Sequence, residues 1–167
     1  MAYNNRGFGD RQGGGKKGYS GDYDYQKGQL PKGYLSGGYY ETVGGEKALR
    51  PEYIVEHSKE IADKLSKREE WDGKSPQNKR SQIRKFYEYV LGIQELLQRK
   101  NNNFQVVEAE LQRLIPFVNY ARSRGTVSEL FENFIEKNIR AVHNPEDLKA
   151  FAKHFESIVA YLPKEKN

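Results

Sequence analysis

The sequence predicts an all-α protein, a compact bundle of about five helices behind a disordered Gly/Tyr-rich front. Three observations carry that expectation. From residue 50 onward, apolar residues recur at spacings of three and four, and no useful run alternates with period two. The joints between these periodic stretches are short and rich in Gly, Pro and Asn. Thirteen of the sixteen glycines and seven of the twelve tyrosines lie before residue 46, where aliphatic residues are scarce. A chain that cannot bury apolar surface cannot offset the entropy of ordering itself. Residues 1–49 are therefore expected to be a disordered Gly/Tyr/Lys-rich tail, and residues 50–164 a helical bundle of roughly 115 residues, enough for a small core.

The first helix is expected to open at Pro51, since proline suits a first turn where its missing N–H has no partner to lose. Its inward stripe is Ile54, Val55, Ile61, Ala62 and Leu65. Trp71-Asp72-Gly73-Lys74 ends it. The second starts near Ser75, an N-cap candidate followed by Pro76, and runs to about Arg99 on Ile83, Phe86, Tyr87, Val90, Ile93 and Leu97. Asn101, Asn102 and Asn103 form a turn. The third helix spans Phe104 to Arg124 with Val107, Leu111, Leu114, Val118 and Ala121 on one face. Pro116 inside it predicts a kink, because its ring removes one hydrogen bond and crowds the carbonyl four residues earlier. Gly125 supplies the stop. Thr126 is the expected cap of the fourth helix, with Glu129 completing a capping box and Val127, Leu130, Phe134, Ile135 and Ile139 turned inward. Asn144 and Pro145 begin the fifth, which uses Leu148, Phe151, Phe155, Ile158 and Val159 and ends near Leu162.

Composition narrows the function classes. The chain has no cysteine, which removes disulfides, thiol nucleophiles and zinc ribbons and suits a reducing cytoplasm. No run approaches the roughly 18 apolar residues of a membrane span, and the front lacks the apolar stretch of a secretory signal. A cytoplasmic protein without a membrane partner is expected. The net charge of +5 hints at an anionic partner. Before residue 51 there are eight Lys/Arg against five Asp/Glu, and after it twenty against eighteen, so in the bundle only a local concentration of cations could matter.

Catalysis finds little support. His57, His143 and His154 fall on different predicted elements without the i, i+4 pairing of a helical metal site, and each reads as a surface or boundary residue. Most carboxylates have a Lys or Arg three or four positions away, as Glu60 has Lys64, which is how a solvated helix face looks. Glu69, Glu70 and Asp72 could chelate a divalent ion but sit beside Lys67 and Arg68. The tail's GGGKK lacks the spacing of a phosphate-cradling loop. Neither an enzyme nor a metal or other cofactor is expected.

One stretch, SPQNKRSQIRKFYEYV at residues 75–90, poses a physical problem. It puts Lys79, Arg80, Arg84 and Lys85 at the start of a helix, where unpaired N–H groups already supply positive charge. On a wheel of about 100° per residue with Ser81 at zero, Ile83, Phe86, Tyr87 and Val90 gather near roughly 190°. Lys85 falls near 40° and Arg84 near 300°, away from the core or flanking it. An incoming phosphate would meet both the cations and the helix N–H groups. Screened cations that merely confer solubility are the competing explanation. A second cluster, YARSRG at residues 120–125, puts Arg122 and Arg124 in the last turn of a helix, where cations are favourable in any case.

Three stretches, SQIRKFYEYV at 81–90, LIPFVNYARSRG at 114–125 and FAKHFESIVAYL at 151–162, resemble in order and spacing the small subunit of type III-A CRISPR–Cas effector complexes, the Csm small-subunit family. The resemblance covers roughly residues 50–164. It implies a non-catalytic helical subunit for antiviral defence, present in several copies stacked as a filament. These lie against the guide (CRISPR) RNA and the target RNA, beside other subunits of the complex that perform the cleavage. It carries an RNA-binding role onto Arg84 and Lys85 with Lys79 and Arg80 beside them, and onto Arg122 and Arg124. Lys137 and Arg140 join for their sign alone. The Gly/Tyr-rich tail lies outside the resemblance, and Phe155 stands where tyrosine would be more usual. A helical protein-interaction module with cations for solubility and a metal-dependent nuclease are the other classes.

Overall fold

The computed structural model describes residues 29–67 and 77–164. Among these, two short strands and six α-helices follow one another: β1 (Tyr40–Val43), β2 (Glu46–Leu49), a 3-10 turn at Pro51–Tyr53, α1 (Glu56–Ser66), α2 (Arg80–Arg99), α3 (Phe104–Gln112), α4 (Leu114–Ser123), α5 (Glu129–Ala141) and α6 (Pro145–Tyr161). Helix α6 is central, packing along both α1 and α2, while α5 lies on α4 and α2 is flanked by α3. The expected all-α bundle is present. The expected third helix is divided into α3 and α4, and its break is the kink foreseen at Pro116. The carbonyl that the proline ring crowds is that of Gln112, the last residue of α3. Regular bonding resumes when the Phe117 N–H donates to the Arg113 carbonyl at 3.2 Å.

The helix stops follow the chemistry read from the chain. Gly125 takes φ +71, its N–H donates to Arg122, and the Thr126 N–H reaches back to Ala121 at 3.0 Å, the paired bonds of a Schellman turn. Asn101 and Asn102 adopt left-handed angles after α2. Asn144 caps α6 by accepting from the Asp147 N–H at 2.9 Å, with Pro145 next to it. Three starts differ from expectation: Pro51 opens only a 3-10 turn, and α1 begins at Glu56. Thr126 does not cap α5: its hydroxyl donates to Ala121, and Ser128 serves instead, accepting from the Phe131 N–H. Residues 77–79 are not helical, so α2 begins at Arg80. Asn78 has φ +56, which no α-helix tolerates. Ser75 and Pro76, the break at Trp71–Lys74 and the Glu69, Glu70, Asp72 group lie outside the described residues.

The largest correction concerns the front. Residues 29–49, expected to be disordered, are structured, whereas residues 1–28 lie outside the described residues. Strands β1 and β2 pair antiparallel, Tyr40 opposite Leu49 and Val43 opposite Glu46, around Gly44 and Gly45 at φ +58 and +84. Two consecutive positive φ values are what a two-residue type I′ hairpin demands, and glycine meets them without strain. The segment is fastened by its tyrosines. Tyr34 and Tyr39 are buried, at 1% and 2% exposure, beside the buried Tyr53. The Tyr39 hydroxyl donates to Asn138 Oδ1 at 2.7 Å, and Asn138 Nδ2 donates to the Tyr34 hydroxyl at 2.9 Å. Few aliphatic residues were needed because each ring buries a large apolar area and its hydroxyl finds a partner.

His154 is likewise corrected. It is fully buried and not a surface or boundary residue. Its Nε2 lies 2.6 Å from the Tyr34 hydroxyl, while Nδ1 meets the Tyr53 carbonyl and, at 2.9 Å, the Ser58 hydroxyl. A carbonyl can only accept, so Nδ1 carries the proton and Nε2 accepts from Tyr34. Burial holds the imidazole neutral, pushing its pKa down to about 4. Val55, assigned to the first inward stripe, is exposed.

Candidate nucleic-acid interface

The eight cations singled out in the sequence do not form one patch. Arg80 is a structural tie: its half-buried guanidinium donates to the Leu162 carbonyl at 2.9 Å, holding the start of α2 against the end of α6. Arg84 and Lys85 stand exposed on α2, as the wheel required, with Arg84 Nε 2.9 Å from Glu88 one turn on. Lys79 is exposed at the N-cap position and makes no side-chain cap. On α4, Arg122 lies 3.7 Å from Glu132 of α5, whose carboxyl is raised by partial burial against the pull of that guanidinium. Arg124, at the end of α4, donates from Nη1 to the Tyr120 hydroxyl at 3.0 Å. Lys137 and Arg140 form a separate group on α5. The first lies 6.0 Å over the Tyr34 ring, and the second lies 3.7 Å from Glu136.

What the fold does bring together are the two motif stretches. The helix start and the turn after Arg124 are about fifty residues apart in sequence, and Asn78 joins them. Its N–H donates to the Thr126 carbonyl at 3.0 Å, its Oδ1 accepts from the Ser128 N–H at 2.8 Å, and its Nδ2 donates to the Ser128 hydroxyl at 2.9 Å and the Leu65 carbonyl at 3.3 Å. Asparagine suits the post because its short amide both donates and accepts and it tolerates a left-handed backbone better than most residues. Sequence reasoning passed over it. An asparagine just ahead of a cationic helix start was the available signal, but its partners are visible only in the fold.

Between the two stretches runs a shallow groove of about 330 Å³, walled by Gln82 and Phe86 of α2 and by Phe117, Tyr120 and Arg124 on the α4 side, with Thr126 at one end. Lys85 stands one turn after Gln82 on α2, so cations border the groove there as well as at Arg124. Lys85 and Arg124 thus border one groove, with Lys79 at the N-cap of α2 nearby, whereas Arg122 lies about 160° round α4 from Arg124 and reaches Glu132 of α5. Arg84 stands on α2, on the far flank of its apolar stripe.

Compared with known proteins, the chain matches the Csm2 Type III-A family over residues 49–165. It belongs to that family. The protein is therefore a small subunit of type III-A CRISPR–Cas effector complexes and assembles with other Csm subunits. The Csm2 match begins at residue 49, so all of the hairpin but Leu49 and the buried Tyr34 and Tyr39 precede it. No curated protein and no solved structure matches the chain. Among the described residues, no helix is long and apolar enough to cross a membrane, and no group of three or more His, Cys, Asp or Glu is placed to hold a metal ion.

Proposed function

We propose that this Csm2-family subunit is a cytoplasmic, non-catalytic protein that stacks in several copies within the effector and grips the backbones of guide and target RNA without reading their sequence. A guide-loaded complex must accept any sequence, so its protein parts do best to hold phosphates and sugar hydroxyls and to leave specificity to base pairing. The observation that carries the reading is the Asn78 junction, which sets the start of α2 beside the end of α4 and so brings Lys79 and Lys85 to the same end of the bundle as Arg122 and Arg124. Arg84 adds a further contact from the other flank of α2. Arg80 serves the fold first, and Lys137 and Arg140 are a second, separate surface for an RNA strand.

One copy is a weak binder, because its charge outside the front is nearly balanced. Copies stacked along a strand add their phosphate contacts and multiply affinity. The test is the double variant Arg84→Ala/Lys85→Ala, titrated with RNAs of unrelated sequence over a range of salt. Binding should weaken about equally for every sequence, and the slope of log affinity against log salt should fall by about one to two units. A loss confined to some sequences, or none at all, would overturn the proposal. Hydrolysis of RNA that EDTA abolishes would instead argue for the nuclease.

A further inference from the structure

Helix α4 carries an unusual stripe. Arg113, Phe117, Tyr120 and Arg124 follow one another at intervals of four, three and four residues, so they share one face within about 60°. Two members are large rings left in water, Phe117 at 39% and Tyr120 at 62% exposure. Each has a guanidinium over it. The Arg113 guanidinium carbon lies 5.2 Å from the Phe117 centroid, and that of Arg124 lies 5.6 Å from the Tyr120 centroid. Tyr89 of α2 meets Phe117 edge-on at 5.5 Å and steadies it.

The groove opens beside these rings, and none of the side chains lining it is acidic. Its volume of about 330 Å³ is at the small end of the range for small-molecule sites, which suits one planar group better than a folded partner. Arg124 borders it, with Lys85 one turn from Gln82 on α2, so an anionic occupant is favoured. The Gln82 amide in the wall offers both a donor and an acceptor. A flat, uncharged ring system joined to a negative backbone meets all of these conditions.

We infer that this groove is a stacking site for an unpaired RNA base, with the Tyr120 ring against the base and Arg124 at the adjoining phosphate. Phe117, about 4.5 Å away along the helix axis, takes the neighbouring base. The inference rests on the RNA-backbone reading and deepens it. Backbone cations hold any strand, while exposed rings additionally favour bases that are not paired, and they do so for every base because each has a π face.

The test is a titration of the full-length chain at low salt with a short single-stranded RNA carrying 2-aminopurine, followed by fluorescence. Binding should quench the probe. Tyr120→Ala should weaken affinity about tenfold and abolish the quench without altering the salt slope, whereas Tyr120→Phe should retain both affinity and quench. The ring is largely exposed, so thermal unfolding of Tyr120→Ala should match the parent. If Tyr120→Ala binds and quenches like the parent while Arg84→Ala/Lys85→Ala loses affinity, stacking is wrong and the backbone reading survives. No binding by the parent chain, or full binding by both variants, would sink the two together. Loss of co-assembly with the other effector subunits, with the quench unchanged, would mark the face as a protein interface and overturn the inference.

Discussion

Tyr34 and Tyr120 carry the same ring and are used in opposite ways. The first is buried between α5 and α6, its hydroxyl accepting from Asn138 and donating to His154. The second stands in water at the mouth of a cationic groove, its hydroxyl accepting from Arg124. The contrast is set by context and not by the residue. Where a slot among helices offers a hydrogen-bond partner at its end, tyrosine acts as a core residue. Where a ring lies on an outer helix face with no packed layer over it, much of its surface stays available to another molecule. The difference separates what holds this protein together from what it offers to its partners.

The contrast can be broken most forcefully at the buried end. Tyr34→Ala removes a filled volume and leaves Asn138 and His154 short of a partner, so it should cost about 4 kcal/mol, read as a lowered urea midpoint. A loss below about 1 kcal/mol would mean that the front segment is only loosely attached. Acid probes the same knot. The folded pKa of His154, about 4, lies below the ordinary 6.5, so folded protein binds fewer protons than unfolded chain between those values. Stability should be complete above about pH 6.5 and fall by roughly 3 kcal/mol as the pH approaches 4. His154→Gln should flatten that part of the profile, and an unchanged profile would refute the assignment. The smallest effect is expected at the junction between fold and site. Asn78→Ala should cost about 2 kcal/mol through lost side-chain bonds and left-handed strain. It should also weaken RNA binding although no cation is removed. Asn78→Gly, which relieves the strain but not the lost bonds, should recover part of the stability and little of the binding.

Much of the fold was legible one residue at a time. Pro116 located the break between α3 and α4, because a proline's effect on the carbonyl four residues back is local. Gly125 marked the end of α4, and Asn144 with Pro145 marked the start of α6, for similar reasons. The hairpin was legible too, as Tyr-Tyr-Glu-Thr-Val before Gly-Gly is a strand followed by a type I′ turn. It was passed over because the glycine-rich composition around it suggested disorder. Within the site, exposure of Arg84 and Lys85 followed from helical periodicity. The role of Arg80 did not, since its carbonyl partner lies 82 residues away.

By itself, the chain determined its helices, their stops and starts, and the family to which three of its stretches point, because those depend on bonding within one or two turns. Only the tertiary structure decided that Tyr34 and Tyr39 belong to the core, that His154 is neutral and buried, and that Asn78 sets α2 beside the end of α4. Each of those facts depends on a hydrogen bond between groups about 50 to 120 residues apart. Such a partner has no local signature, since a polar side chain looks the same in sequence whether it meets water or another chain segment.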